Sequence, residues 1–409
     1  MFSNASLNAA PQTWNEAWSF MQKIDIPFDT SADDAIFQPI DMTVMFDSPC
    51  WAKNNIDHSI RICCLKDDNW IELESQIYDL TYSDNEHIEQ CNIIFLIPVI
   101  ADGSEEYYIF YDETETSSPE YTDHIRFDES SYFYEPISGY PLQSDYYEIR
   151  DDDIITYIIS YDGEFMGYNT CQHVYKMIEG TTELLPKNAE LFAAFDFKYC
   201  YDDGLFEYSS TSQKLVSKDV ITDGNLMIEI QIESVSKRND LKTIASYKYY
   251  HCPASTKQIH VHVIHQALKD ITIYEQAKTD GSYLSMQAGG VKSKSIEELN
   301  IGEILPFLHF SNERNTTLSY PLDTDPEYIK DNPDIRLISI TDDIDLSDDA
   351  WVSFDEGDLG KVHALFIHYD ESDFSGTDEQ DGLQINAFQM DYPHLAGLEN
   401  NIATVQIGR

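Results

Sequence analysis

The residues best suited to chemistry lie in one short stretch. Ser246-Tyr247-Lys248-Tyr249-Tyr250-His251 is followed by a turn over Cys252 to Lys257 and then Gln258-Ile259-His260-Val261-His262-Val263. Folded as a hairpin with Cys252 opposite Lys257, it sets Tyr249 across from His260 and Tyr247 across from His262. Alternation then gives Tyr247, Tyr249, His251, His260 and His262 one face and leaves Ile259, Val261 and Val263 on the other. Phenol and imidazole groups move protons, and aromatic rings stack on sugar rings. On this reading Tyr249, His260 and His262 are candidate catalytic groups, with Tyr247 and His251 as substrate-binding partners. Two alternatives stand beside it. His260 and His262 could be two ligands of a metal completed from elsewhere, or the face is simply the wet side of an amphipathic strand. No metal is assigned and the cofactor is left unknown.

Other motifs carry less. Gln287-Ala288-Gly289-Gly290-Val291-Lys292-Ser293 lacks the spacing of a phosphate loop, and its glycines read as a turn presenting Lys292 and Lys294. Asp370-Glu371-Ser372-Asp373 and Asp378-Glu379-Gln380-Asp381-Gly382 miss the calcium-loop register and read as solvated loops. His363 and His368 fall on opposite faces of one strand. No G-x-S-x-G, H-E-x-x-H or dinucleotide fingerprint is present, which counts against the common hydrolase, zinc-protease and dinucleotide chemistries.

Charge narrows the classes further. The 409 residues hold 74 Asp and Glu against 25 Lys and Arg, a formal net charge of -49. A phosphate backbone would be repelled by this balance, so nucleic-acid binding is excluded as the main activity. The acid is spread along the chain, as in Asp151-Asp152-Asp153 and Asp348-Asp349, which points to a protein adapted to molar salt, the alternative being simply an acidic secreted protein. There the Debye length falls to about 3 Å and self-repulsion is tolerable. Seven cysteines without regular spacing read as buried thiols, with vicinal Cys63 and Cys64 on opposite faces of a strand. No apolar run is long enough to span a membrane, and the first residues lack a signal-peptide pattern. The expected location is therefore cytoplasmic, or secreted or cell-surface if the chain has been trimmed.

The elements that must position these groups are strands. Runs at Ile40 to Phe46, Ser59 to Leu65, Cys91 to Val99 and Tyr107 to Tyr111 recur with Asp-Gly and Pro punctuation, the pattern of an all-β sandwich. Further runs at Ile154 to Tyr161, Leu191 to Tyr201, Leu226 to Glu233, Ile244 to His251, Ile259 to Ile264, Trp351 to Phe354, Val362 to Tyr369 and Leu383 to Phe388 extend the pattern. Short helices are expected only at Thr13 to Met21 and Ser295 to Leu299. Residues 112 to 145 change character, and a domain boundary is expected near 115 to 145, where polar and proline residues read as a linker. The expected fold is all-β: an N-terminal β-sandwich over 1–125, then a larger antiparallel β-sandwich over 145–409.

The opening Trp14-x-x-x-Trp18, Gln22-Lys23-Ile24-Asp25-Ile26-Pro27 and Gln38-Pro39-Ile40-Asp41 lead into Asn69-Trp70-Ile71-Glu72-Leu73-Glu74-Ser75-Gln76-Ile77. Ile93-Ile94-Phe95-Leu96-Ile97-Pro98 and Tyr107-Tyr108-Ile109-Phe110-Tyr111 follow. This order, over residues 14–111, resembles the β-rich N-terminal module of exo-rhamnogalacturonan-lyase-like carbohydrate-active proteins. No catalytic motif of that family is matched in 145–409, so its catalytic residues are not carried over. The resemblance implies a supersandwich second domain with a sugar site on its concave face, and a glycan partner. A lyase would need a base, an acid and a cation to neutralise a uronate. Tyr249 or His260 would supply the first two, and Lys292 or Arg238 the cation. The function expected is carbohydrate recognition or processing, with polysaccharide lyase as its specific form. The competing class is a non-catalytic surface or envelope protein.

Overall fold

A computed structural model describes residues 14–15, 18–137, 140–165, 168–169, 171–177, 180, 182, 189–194, 198–200, 206–208, 213–254, 257–269, 283–293, 307–311, 316–321, 336–338, 349–355, 362–368, 384–391 and 398–408. The fold is all-β and built of antiparallel sheets. Among the described residues the single helical element is a 3-10 turn at Asp33–Ala35.

Two compact units divide the chain. Met1–Arg126, Val220–Glu229 and Lys248–His260 form the first; Phe127–Asp219, Ile230–Tyr247 and Val261–Arg409 form the second. In the first, strands β1 (Phe20–Ile24), β2 (Pro39–Trp51), β3 (Ile60–Lys66), β4 (Asn69–Leu73), β5 (Ser75–Tyr82), β6 (His87–Leu96) and β7 (Glu106–Tyr111) make two sheets, ordered β1-β7-β3-β4 and β2-β6-β5. Alternating apolar residues such as Ile60, Ile62, Cys64, Ile77, Cys91, Ile93 and Phe95 meet between the sheets as one core. Such alternation is what a strand with one buried face requires.

The β1-β7-β3-β4 sheet buries its second face as well. Cys63, Tyr108 and Phe110 are covered there by Trp14, Trp18 and Trp70. Cys63 and Cys64 therefore do lie on opposite faces of β3. The Trp14/Trp18 spacing, expected to be helical, instead lays both rings over the sheet 5.9 Å apart, with Trp14 5.5 Å from Phe110. The next residues, Phe20 and Met21, pair with Tyr111 and Phe110 in the ladder. Aromatic residues fit a pleated surface well, and the available sheet face overrides the helical spacing.

The second unit contains a long sheet in which the strands 125–137, 140–151 and 154–165 stand side by side. Most of the expected linker is thus strand, since Ile125–Ile137 and Tyr140–Asp151 both pair into this sheet. Bulges near Ile155 and Ser160 absorb its irregular pattern. Gly289-Gly290 is not a turn either. Tyr283–Ser293 is one unbroken strand, with Gly289 opposite Ile402 and Gly290 opposite Asn401. Full pairing to the 398–408 strand outweighs the weak local preference of two glycines. A separate four-stranded sheet runs 213–223, 227–236, 241–250, 259–267. The expected helix at 295–299 and the acidic clusters at 370–373 and 378–382 lie outside the described residues.

Candidate functional site

The strand Leu241–Tyr250 alternates strictly between buried and half-buried positions. Tyr247 and Tyr249 fall on the buried side, with no exposed surface, and His251 is buried just beyond the strand end. His260 and His262 are exposed on the neighbouring strand. The common Tyr/His face expected from the hairpin is therefore split. It is Tyr250, not Tyr249, whose ring meets His260, edge-on at 5.2 Å between centroids. A shift of a strand by one residue exchanges its two faces, so alternation alone does not say which of Tyr249 and Tyr250 accompanies His260. Tyr247 donates its hydroxyl to the carbonyl of Gln172 at 3.3 Å, and burial holds its phenol well above the usual range. His251 stacks flat on His124, with centroids 4.1 Å apart, and His124 Nε2 lies 2.8 Å from Glu74. Lys292 sits opposite Glu399 within the 283–293 strand.

What the half-buried side does assemble is a cluster on the outer face of the β2-β6-β5 sheet. Thr43, Asn92 and Tyr78 are register partners across the three strands, and Asp41 lies two residues before Thr43 on the same face. Residues of the 227–236 and 241–250 strands add Glu229, Lys248 and Tyr250. Asp41 is the centre. It accepts hydrogen bonds from the Tyr78 hydroxyl at 2.7 Å and 2.8 Å, from the Tyr250 hydroxyl at 2.5 Å, and from Lys248 Nζ at 3.4 Å. Lys248 also donates to the Tyr78 hydroxyl at 3.3 Å and pairs with Glu229 at 3.7 Å. Thr43 donates to the side-chain oxygen of Asn92 at 2.7 Å. The charged side chains retain about a fifth to a quarter of their surface, with Asp41 at 21%, Lys248 at 25% and Glu229 at 20%.

The apolar floor beside this cluster explains its position. Ile94 packs with Leu226 and Met227, with Tyr78 and Tyr250 against them. Each tyrosine therefore buries its ring and directs its hydroxyl to the carboxylate, as the amphipathic phenol favours. Desolvation comes first and the bonded, negatively charged Asp41 next in holding Tyr78 and Tyr250 far above the ordinary phenol range. Both remain protonated donors at any physiological pH. As a proton-abstracting base either is disabled.

Sequence reasoning gave no role to Asp41, Tyr78, Glu229, Lys248 or Tyr250. Asp41 and Lys248 are 207 positions apart, and nothing local links them. Among the described residues no cluster of three or more His, Cys, Asp or Glu is arranged to hold a metal. No helix among them is long and apolar enough to cross a membrane. No protein-family model matches the chain, and no curated protein matches it.

Proposed function

We propose that this protein is a carbohydrate-binding protein of a salt-adapted organism, and that it recognises its glycan without cleaving it. The observation that carries this reading is the Asp41 carboxylate fixed by two tyrosine hydroxyls and one lysine, with the Tyr250 ring edge against exposed His260. Aromatic surface next to rigid, hydrogen-bonded polar groups is the arrangement that sugar rings and their hydroxyls need. Tyr78 and Tyr250, held as protonated donors, suit binding and do not serve as the base a lyase requires.

Titration calorimetry against a panel of oligosaccharides in molar KCl tests it. A bound oligosaccharide is expected, with Asp41→Asn and Tyr250→Phe weakening it about tenfold or more, since each loses a charge-assisted hydrogen bond. Absorbance at 235 nm should stay flat. Affinity untouched by either variant would sink the assignment to this face, and rising absorbance would restore the lyase.

The salt-adapted part rests on the charge of -49. The urea midpoint should climb as KCl is raised from millimolar to molar, because screening relieves self-repulsion. A midpoint that stays level or drops removes this part of the proposal.

A further inference from the structure

The hydrogen-bond inventory of the Asp41 cluster limits what it can bind. Tyr78 and Tyr250 each have one hydroxyl proton, and both protons are directed to Asp41. Lys248, the cluster's cation, is held by Asp41, the Tyr78 hydroxyl and Glu229. Both tyrosine protons are thus turned inward, and Lys248 is engaged by two carboxylates and a phenol oxygen. What is left for a ligand is acceptor capacity: the carboxylate of Glu229, 3.7 Å from Lys248, and the lone pairs of the Tyr250 oxygen, since the Tyr78 oxygen already accepts from Lys248 and Asn92. Asp41, Glu229 and Lys248 sum to one net negative charge, set in a chain of formal charge -49.

We infer that the ligand of this face is a glycan rich in hydrogen-bond donors, specifically one bearing free amino groups, and that glycans carrying carboxylate or sulfate groups are rejected. This rests on the carbohydrate-binding reading above and narrows it. A sugar ammonium brings three donors and a positive charge, which matches Glu229 and the oxygens around Asp41. A uronate or sulfate brings only acceptors and negative charge. It would have to pull Lys248 away from two carboxylates to be neutralised, leaving both unpaired. N-acetylation of the amino sugar removes the charge and two of the donors, and gives an intermediate case.

Three hexamers of matched length separate the outcomes: β-1,4-linked glucosamine, its N-acetylated form, and α-1,4-linked galacturonate. Each is titrated calorimetrically in molar KCl at pH 6, where the glucosamine carries charge and nonspecific attraction to an acidic surface is screened. Glucosamine hexamer should bind about tenfold tighter than the N-acetylated form, and galacturonate should give no measurable heat. Glu229→Gln should erase the glucosamine advantage. Glu233→Gln, which removes the same charge from the Lys242 pair on the same strand, should leave it intact.

Equal losses in both glutamate variants would show attraction by bulk charge and overturn the inference. So would galacturonate or N-acetylated hexamer binding as well as the amine. Those results leave the carbohydrate-binding reading standing, since a glycan still binds. If none of the three binds and a wider neutral panel is also silent, the carbohydrate-binding reading itself fails. Thermal melts of both variants, expected within a few degrees of the parent, establish that folding is not what changed.

Discussion

Replacing Gln76 with alanine should lower the folding stability by about 3–5 kcal/mol, because three buried hydrogen bonds are lost and their backbone partners are stranded. Gln76 Oε1 accepts from the backbone amides of Leu226 at 2.8 Å and Met227 at 2.7 Å, and Nε2 donates to the Met227 carbonyl at 3.0 Å. The side-chain amide thus acts as a peptide group inserted at the head of the 227–236 strand. Leu226 and Met227 are fully enclosed, so water cannot easily replace it. Gln76→Leu keeps the volume and should be about as damaging, which separates hydrogen bonding from packing. Gly224 belongs to the same device. A Cβ there would stand 2.3 Å from the Gln76 amide carbon and 2.4 Å from its nitrogen. Gly224→Ala should therefore cost about 1–3 kcal/mol in the parent and nearly nothing once Gln76 is alanine. A double-mutant cycle from urea unfolding measures that coupling. Additive costs would mean the two residues do not act as a unit.

The second large effect is acid sensitivity through His58. This side chain is 2% exposed, and its Nδ1 has no hydrogen-bond partner. Burial first and the Arg61 charge second push it down to about 3, against a minor upward pull from Asp57. Between that value and the unfolded value near 6.5, the unfolded chain binds a proton that the folded chain refuses. Stability is therefore complete above about pH 6.5 and falls as the pH drops toward 3, by as much as about 4 kcal/mol over the window. His58→Leu should remove this contribution. Comparing the two proteins between pH 6.5 and 5, above most carboxylate titration, isolates it. An unchanged slope of stability with pH would show that His58 takes up its proton in the folded state.

How much of this was readable beforehand depended on how local the signal was. The strands of the first unit came through because residues such as Ile93, Ile94 and Phe95 form dense apolar runs, and Ile40 to Phe46 alternates cleanly. The all-β class followed from them. Residues 126–131 read as a linker because a largely exposed run of acidic and serine residues looks like one when the partner strand is unknown. Gly289-Gly290 failed for the same reason, with its pairing strand more than a hundred residues downstream. The hairpin register could not be decided from Tyr249-Tyr250: two identical residues offer no polarity difference to show which one faces the interior. That single uncertainty put Tyr249 rather than Tyr250 beside His260. The Asp41 cluster needed Asp41, Tyr78 and Lys248 to be brought together from three distant segments, and only tertiary packing does so. Grouping of 220–229 and 248–260 with the first unit carried no sequence mark at all.

The back-to-back cysteines of β3 make the molecule a recorder of its own breathing. Cys50, Cys63, Cys64 and Cys91 are sealed in the first unit and Cys171 in the second, all as free thiols. Burial lifts Cys64 to about 11 and Cys50 and Cys171 to about 12, so alkylating reagents meet almost no thiolate until the chain opens. Cys63 reports on the tryptophan-covered side of its sheet and Cys64 on the inter-sheet core, from adjacent positions on one strand. The order in which the two are labelled tells which layer peels first, and Cys171 times the other unit by the same clock.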